Sequence, residues 1–279
     1  MSRWTIDAPT TLDFDGIAAL RVRAISGSVA VLSTDDRPRL DVSRVTGQPL
    51  QVTHEAGILT VTYPDLSWEG LLGWLRPAQH SAAITVMVPK DCPTQLGVVN
   101  AVAVVSGITA RTSVKSVAGN ITLDGVTGAV DADTVSGDVE AQGLAGRIGF
   151  KSVSGDLTLA DGSVERMDAK SISGRVTADV DLIPDSLVRV TTVSGEVTIR
   201  LPASASARVE LKSATGRVLT EFGDMDCSRV PGANSAAGQL GSGSGKLSVT
   251  TVSGRVALLE RHEPSPPPAG GTQPEADAP

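Results

Sequence analysis

A three-residue phrase, most often Val-Ser-Gly, recurs along more than half of the chain at nearly constant spacing. Its copies end at Gly107, Gly119, Gly137, Gly155, Gly174, Gly195, Gly216 and Gly254. From Gly119 onward the steps are 18, 18, 19, 21 and 21 residues, followed by one step of 38 residues. A period near 20 residues is typical of repeat proteins in which each repeat buries its apolar face only against its neighbours.

Alternating apolar residues flank the phrase on both sides, which is the pattern of half-buried strands. Ile148 and Phe150 precede one copy, and Leu157 and Leu159 follow it. Aromatic residues make up only 3% of the chain, and small aliphatic residues suit a narrow core between closely spaced strands. The sequence therefore predicts an all-β fold: a β-solenoid, or β-helix-like stack, of coils of 18–21 residues.

Three positions around the phrase predict how the coils meet at a corner. The glycine predicts either a positive φ or an approach too close for a Cβ atom. From Val117 onward the residue before each copy carries a hydroxyl, and stacking would bring these side chains about 4.8 Å apart, where they can hydrogen-bond along the stack. The hydroxyl residues are Ser116, Thr134, Ser152, Ser171, Thr192, Ser213 and Thr251. After the glycine we expect exposed ion pairs Asp156–Arg175, Arg175–Glu196 and Glu196–Arg217, each worth at most about 1 kcal/mol.

The composition divides the chain into three regions. Residues 1–95 predict a β-rich N-terminal cap over the open end of the stack, with a separate small sandwich as the alternative. An insertion at residues 66–77 interrupts this cap and contains two of the three tryptophans. Residues 96–260 hold the repeats, interrupted at 221–246 by a glycine-rich loop insertion before the last coil. Residues 261–279 form a Pro-rich tail that cannot bury enough apolar surface to order itself.

The insertion at residues 66–77 is the predicted partner-binding site. Its large apolar side chains are Trp68, Leu71, Leu72, Trp74 and Leu75. Such a cluster is typical of a surface that docks on an apolar partner or at a membrane interface. The alternative is that the insertion folds onto the stack and fills the cap. Arg76 is the single cation within it, so docking to an anionic membrane would be weak.

The sequence contains no residues with the spacing of a known catalytic, metal or cofactor site. His54, His80 and His262 stand far apart, and the phosphate-loop and dinucleotide fingerprints are missing. The Ser-Gly pairs lack the GxSxG context of a nucleophile and recur too often to be separate active sites. A net charge of −7 without a basic block predicts no nucleic-acid partner. We therefore expect a non-enzymatic binding or scaffold module whose protein or surface partner, and whose oligomeric state, the sequence does not specify.

One enzymatic alternative stays open. Parallel β-helices include polysaccharide lyases and hydrolases, and glycoside cleavage relies on carboxylates placed together in a groove. The candidates are Asp131, Asp133, Asp138 and Asp156. Such enzymes usually have longer coils and aromatic platforms for sugar rings, whereas this repeat region has almost no aromatic residues. The non-enzymatic interpretation is therefore favoured.

Sequence features also bear on location and redox state. No apolar stretch approaches the roughly 18 residues needed to span a bilayer, and residues 1–9 have no apolar signal region. Cys92 and Cys227 lie far apart without CxxC spacing, so we expect two unpaired thiols, with a disulfide as the alternative. These features predict a cytoplasmic protein, with export by another route left open.

An early copy of the phrase occurs at Ile25-Ser26-Gly27. Besides the regular repeats, the chain contains the stretches ITVMVP at residues 84–89 and KSVSGDLTL at residues 151–159. Together these features resemble the DUF4097 family of bacterial β-strand repeat proteins, which includes candidate adhesins. The resemblance runs over about residues 20–259. It implies a β-solenoid, often in envelope-stress or regulatory settings, with no catalytic residues to carry over. Unlike secreted or anchored members, this sequence shows no signal or membrane segment.

Overall fold

The computed structural model describes residues 2–63, 80–223, 225–230 and 232–262, which form 22 strands and no helix. The first eleven strands are β1 (Ser2–Ile6), β2 (Thr10–Asp13), β3 (Ala19–Ser33), β4 (Arg39–Thr46), β5 (Leu50–Glu55), β6 (Ile58–Thr62), β7 (Ser81–Val88), β8 (Thr94–Ser106), β9 (Thr112–Ser116), β10 (Ile121–Asp124) and β11 (Thr127–Thr134). The other eleven are β12 (Val139–Gln142), β13 (Ala145–Ser152), β14 (Leu157–Ser171), β15 (Val176–Thr192), β16 (Val197–Pro202), β17 (Ala207–Ser213), β18 (Val218–Thr220), β19 (Met225–Val230), β20 (Ala233–Leu240), β21 (Gly245–Thr251) and β22 (Val256–Arg261). The predicted all-β class is therefore correct.

The repeats pair in parallel at the offset that the phrase predicts. Ile121 of β10 lies beside Ala103 of β8 on one side and beside Val139 of β12 on the other. Along each strand alternate residues point inward, as in β14, where Leu157 and Leu159 are buried. The inward residues form a single aliphatic core that runs through the described part of the chain. Small branched side chains fit this core because facing strands leave little room for rings.

Seven of the parallel strands close into a ring, so the predicted β-solenoid is wrong. The ring runs β8–β10–β12–β14–β13–β11–β9 and returns from β9 to β8. It closes because β8 and β14 are long enough to take part in two rows of strands at once. β8 passes unbroken through the corner at which Ala101 stands in the glycine position, and β14 passes through the opposite corner at Asp161 and Gly162. The remaining strands lie outside this closed barrel.

The last repeat lies out of sequence order. β21 pairs in parallel with β15 on one side and with β17 on the other, and β22 lies in the same way between β16 and β18. The repeat made of β17 and β18 is therefore displaced outward by the repeat that follows it in sequence. The predicted neighbours Glu196 and Arg217 are for this reason separated by a strand, and Arg255 occupies the place beside Glu196.

The insertion before the last repeat is a hairpin and not the loop predicted at residues 221–246. β19 and β20 pair antiparallel, and β20 also pairs antiparallel with β17. Only Ala236 and Leu240 of β20 are buried, so this strand shows little apolar alternation. The sequence of β20 does not predict a strand, because Gly, Ser and Ala at its less buried positions are typical of a loop.

The N-terminal region joins the barrel through β3. This strand pairs in parallel with β8 along residues 20–32, and it also pairs in parallel with β6 and β7. Two antiparallel rows then extend from it, one through β6, β5 and β1 and the other through β7, β4 and β2. Leu20, Val22 and Val29 continue the aliphatic core into this region.

Candidate binding surfaces

The predicted partner-binding side chains, Trp68, Leu71, Leu72, Trp74 and Leu75, lie outside the described residues. Their role stays a prediction. The candidate surfaces on the described part of the chain are the corner that carries the phrase, the outer faces of the two rows of strands, and the grooves on them.

From Gly119 onward, the glycine of the phrase is required by a close approach to the backbone of a neighbouring repeat, whereas Gly107 has a positive φ of 72°. A Cβ atom on Gly155 would lie 2.0 Å from the carbonyl oxygen of Gly137, and Gly174 and Gly195 meet the preceding glycine in the same way. These glycines do not have a positive φ, so of the two reasons predicted for them the close approach is correct. Gly254 approaches Gly195, and Gly216 approaches Gly254, which follows the exchanged order of the last repeats.

The hydroxyl residues close their own turns instead of bonding to one another along the stack. The Gly137 N–H donates to Thr134 Oγ1 at 3.0 Å, and the Thr134 hydroxyl donates to the Gly137 carbonyl at 2.9 Å. Gly195 donates to Thr192 Oγ1 at 3.0 Å in the same geometry. The predicted row of hydroxyl-to-hydroxyl bonds is therefore wrong. Where these hydroxyls do reach a neighbouring repeat, they donate to backbone carbonyls, as Ser213 does to Gly254 at 3.0 Å.

In five copies of the phrase the first residue is an exposed aliphatic side chain, and these side chains form a line that we name the aliphatic ridge. Its members are Val135, Val153, Ile172, Val193 and Val252. Their exposed fractions lie between 43% and 54%. Backbone hydrogen bonds join neighbouring members, such as that from Ser154 N to the Val135 carbonyl at 2.9 Å and from Ser173 N to the Val153 carbonyl at 2.9 Å. The ridge is thus regular and apolar, and it lies beside the column in which the sequence predicts exposed ion pairs.

The charged column beside the glycine is held by backbone contacts as well as by ion pairs. Asp138 Oδ1 accepts a hydrogen bond from the Asp156 N–H at 2.9 Å, and Asp156 Oδ1 accepts one from the Arg175 N–H at 2.7 Å. Arg175 and Glu196 form the predicted ion pair at 3.9 Å. Glu196 also pairs with Arg255 at 3.7 Å, so the predicted Glu196–Arg217 pair is wrong. The carboxylates of this column therefore have structural partners.

The four aspartates of the enzymatic alternative do not form one groove. Asp131 and Asp133 lie on the outer face of β11, where Asp131 pairs with Arg111 at 3.5 Å and Asp133 pairs with Lys115 at 3.7 Å. Asp138 and Asp156 lie at the corner. Glycoside cleavage needs two carboxylates facing one bond. The arrangement of these side chains does not support such a site.

Two shallow grooves cross the outer faces of the barrel. The larger, of about 530 Å³, crosses β8, β10, β12 and β14 and is lined by polar side chains that include Ser106, Asp124, Glu140 and Gln142. Ser106 Oγ donates to Asp124 Oδ2 at 3.0 Å within it. The smaller, of about 340 Å³, lies across β3, β8 and β9 and is lined by cations. A third groove of about 330 Å³ lies between β18 and the β19–β20 hairpin.

The two cysteines are unpaired, as predicted. Cys92 is buried, and its burial, followed by the nearby Asp91 carboxylate, raises the pKa of the thiol from 9.0 to about 11. Cys227 is exposed on β19.

Elsewhere on the outer face the Lys212 ammonium, which hydrogen-bonds to Glu210, lowers the pKa of that carboxyl group. Within the described ranges no three His, Cys, Asp or Glu side chains are placed to hold a metal ion, and no helix is long and apolar enough to cross a membrane.

Strand pairing and corner geometry define the chain as an all-β repeat protein with a parallel barrel. The sequence profile of the DUF4097 family, described as Toastrack, matches residues 33–259. The chain belongs to the DUF4097 family, which confirms the resemblance seen in its sequence.

Comparison with solved structures finds similar chains at low identity. A candidate lipid-binding protein from Parabacteroides distasonis is 12% identical, with 91% of this chain and 97% of that chain covered and a TM-score of 0.45. A candidate adhesin from Bacteroides fragilis is 11% identical, with coverages of 91% and 97% and a TM-score of 0.35. A candidate cell adhesion protein from Clostridium sporogenes is 12% identical, with coverages of 91% and 100% and a TM-score of 0.28. None of the curated proteins compared with this sequence matches it.

Proposed function

We propose that this protein is a non-catalytic binding module that contacts a partner protein through the aliphatic ridge. The single observation that carries the proposal is the exposure of five aliphatic side chains in one line. Exposed single apolar residues are ordinary, but a contiguous row is typical of an interaction site. Folding gains little from side chains that stay half in water, so the row has no evident role in stability.

The geometry of the ridge supports an extended partner. Neighbouring members are spaced at about 4.8 Å, the separation of adjacent strands. The serines that follow them, such as Ser154 and Ser173, donate their hydroxyl protons to backbone carbonyls of the preceding repeat at 3.2 Å. Their polar atoms are thus occupied, and the ridge presents mainly methyl groups. Association at such a surface would be driven by removing apolar area from water.

A non-catalytic role is supported by what the polar side chains do. Asp131 and Asp133 are in ion pairs, and Asp138 and Asp156 accept backbone hydrogen bonds. Incubation of the purified protein with a panel of plant and bacterial polysaccharides should release no reducing ends or unsaturated products. Release of either product, and its loss in Asp131→Asn or Asp156→Asn, would overturn the non-catalytic interpretation.

Site-specific photo-crosslinking in bacterial cells tests the ridge. The photoreactive residue benzoylphenylalanine replaces Ile172 on the ridge, and in a matched variant it replaces Val102, whose exposed fraction of 47% is similar but which lies off the ridge. We expect discrete crosslinked species from position 172 that weaken when Val153 and Val193 are changed to Thr. Equal crosslinking from both positions, or none from position 172, contradicts the proposal. Fractionation of the same cells tests the predicted location.

A further inference from the structure

The second, smaller groove lies on a different surface from the ridge and is basic, although the whole chain has a net charge of −7. We name it the basic groove and define it by its polar lining and central glycine. These residues are Arg21, Arg23, Gln95, Gly97, Ser113 and Lys115. We propose that the basic groove binds an oxyanion, a phosphate, sulfate or carboxylate group, seated over Gly97. This inference goes beyond the proposed function and does not depend on the ridge.

Strand register places the cations around one point. Arg21 and Arg23 alternate with the buried Leu20 and Val22 on β3, so both side chains stand on the outer face about 7 Å apart. In the neighbouring strands Arg23 lies beside Gly97, and Gly97 lies beside Lys115. The two cations therefore flank a position without a side chain. Gln95 and Ser113 continue the row that starts at Arg21 and add neutral hydrogen-bonding groups.

The glycine at position 97 has no structural reason that the described residues show. Its φ is not in the left-handed region, and a Cβ atom there would meet only Arg23 Cγ, at an ordinary 3.8 Å. Gly97 thus differs from Gly155, whose Cβ atom would overlap a backbone carbonyl. Glycine within a strand weakens it and often marks a place that a ligand approaches closely. Here the missing side chain produces the floor of the groove.

The electrostatic state of the groove favours an anion. Within the described ranges Arg21 and Arg23 form no ion pair, whereas Lys115 shares Asp133 with Lys151 at 3.7 and 3.9 Å. Three cations thus line the groove. The carboxylates of β11 beside it are already in ion pairs, Asp131 with Arg111 and Asp133 with the two lysines. Guanidinium groups bind carboxylate and phosphate oxygens through two parallel hydrogen bonds, which makes arginine well suited to this role. The volume of about 340 Å³ is at the lower end of the range for small-ligand sites.

Titration of the full chain with inorganic phosphate, followed by amide NMR, tests the proposal. We expect saturable shifts at Gly97 and Ser113, weakened by added NaCl because exposed charges are screened. The double variant Arg21→Gln/Arg23→Gln should bind at least tenfold more weakly, since each charge-assisted contact is worth about a factor of ten or more. Gly97→Leu should block the groove sterically while leaving the melting temperature close to that of the parent.

Arg44→Gln is the matched control, because Arg44 is an exposed arginine of β4 outside the groove. It should leave phosphate binding unchanged. Absence of saturable shifts at Gly97, or equal weakening by Arg44→Gln and by the double variant, overturns the proposal.

A second arm distinguishes the source of the oxyanion. The protein is sedimented with vesicles of phosphatidylcholine alone or with one-fifth phosphatidylglycerol. Sedimentation only with the anionic vesicles, lost in Arg21→Gln/Arg23→Gln, assigns the group to a lipid headgroup. Phosphate binding without sedimentation assigns it to an oxyanion free in solution. Because the ridge is unchanged in these variants, failure here leaves the photo-crosslinking result at Ile172 unaffected.

Discussion

Arg255 Nη1 lies 3.7 Å from Glu196 Oε1, although another complete repeat, β17 and β18, stands between them in sequence. The contact marks the exchange of the last two repeats. Three exposed residues on the outer face mark the order of these strands. Thr191 of β15 lies beside Thr250 of β21, and Thr250 lies beside Lys212 of β17.

Disulfide trapping should report this exchanged order. With Cys227 changed to Ser, the pair Thr191→Cys/Thr250→Cys should oxidise readily, because adjacent parallel strands bring the Cα atoms about 5 Å apart. The pair Thr191→Cys/Lys212→Cys is the control, and its separation of about 10 Å is too long for a disulfide. Gel mobility without reductant and mass spectrometry measure both. Oxidation of the control pair alone would mean that the repeats follow sequence order.

Adding a methyl group at the corner should destabilise the protein severely. In Gly155→Ala the new Cβ atom would overlap the carbonyl oxygen of Gly137, a backbone atom that cannot move without disturbing two repeats. We expect a loss of about 3 kcal/mol in the free energy of unfolding. Urea denaturation measures it. Gly97→Ala, which has room for its methyl group, should unfold at nearly the same urea concentration as the parent. A mild effect in Gly155→Ala would show that the corner can relax.

Removal of one turn-closing hydroxyl should have a moderate effect. Thr192→Val keeps the shape of the buried side chain but deprives the Gly195 N–H of its acceptor at 3.0 Å. A buried donor left without a partner costs about 1–3 kcal/mol. Thr191→Val, on the exposed neighbour, should change the free energy of unfolding by less than about 0.5 kcal/mol. Equal effects at both positions would show that the turn bond contributes nothing.

The thiol of Cys92 should make stability fall in alkaline solution. Burial raises its pKa from 9.0 to about 11, so between these pH values the folded chain keeps a proton that the unfolded chain has lost. Unfolding then releases a proton, and the free energy of unfolding falls as the pH rises from 9 to 11. Denaturation curves of the parent and of Cys92→Ala measure this component, which should be missing in the variant. The same slope in both proteins would rule it out.

Alkylation by iodoacetamide measures the accessibility and reactivity of the Cys92 thiol independently. At pH 8.5 the exposed Cys227 should be alkylated while Cys92 stays unmodified, because the thiolate is the reactive form and burial suppresses it. Peptide mass spectrometry separates the two sites. Denaturant should then expose Cys92 to the reagent. Alkylation of Cys92 in the folded protein at a rate similar to that of Cys227 would contradict its burial.

Sequence periodicity predicts those parts of the fold that depend on neighbouring residues. The alternation at Leu157 and Leu159 predicts a strand and its buried face, and the spacing of Gly137 and Gly155 predicts which repeats approach each other. Closure of the seven-strand ring cannot be predicted from periodicity, because it depends on whether β8 and β14 continue through a corner as unbroken strands. Ala101 in the glycine position is a signal in the sequence that could have indicated the unbroken corner of β8.

The order of the last repeats and the surface sites were harder to predict. Arg217 and Arg255 are the same residue type after the same glycine, so charge alone cannot tell which of them lies beside Glu196. The ridge was missed because the phrase was interpreted through its glycine and the polar residues beside it, whereas its first residue is exposed at Val153 and Val193. The basic groove depends on Arg23 and Lys115, which are far apart in sequence and meet only through register.

The exchanged order of the last repeats also determines when the chain can finish folding. During synthesis β17 and β18 leave the ribosome before β21 and β22, yet their final neighbours do not exist until the last repeat has been made. Until then the edges of β15 and β16 stay open, and an open edge invites pairing with other chains and attack by proteases. A product that ends early keeps this defect permanently. A chain interrupted before β21 therefore exposes two strand edges that the last repeat would otherwise cover.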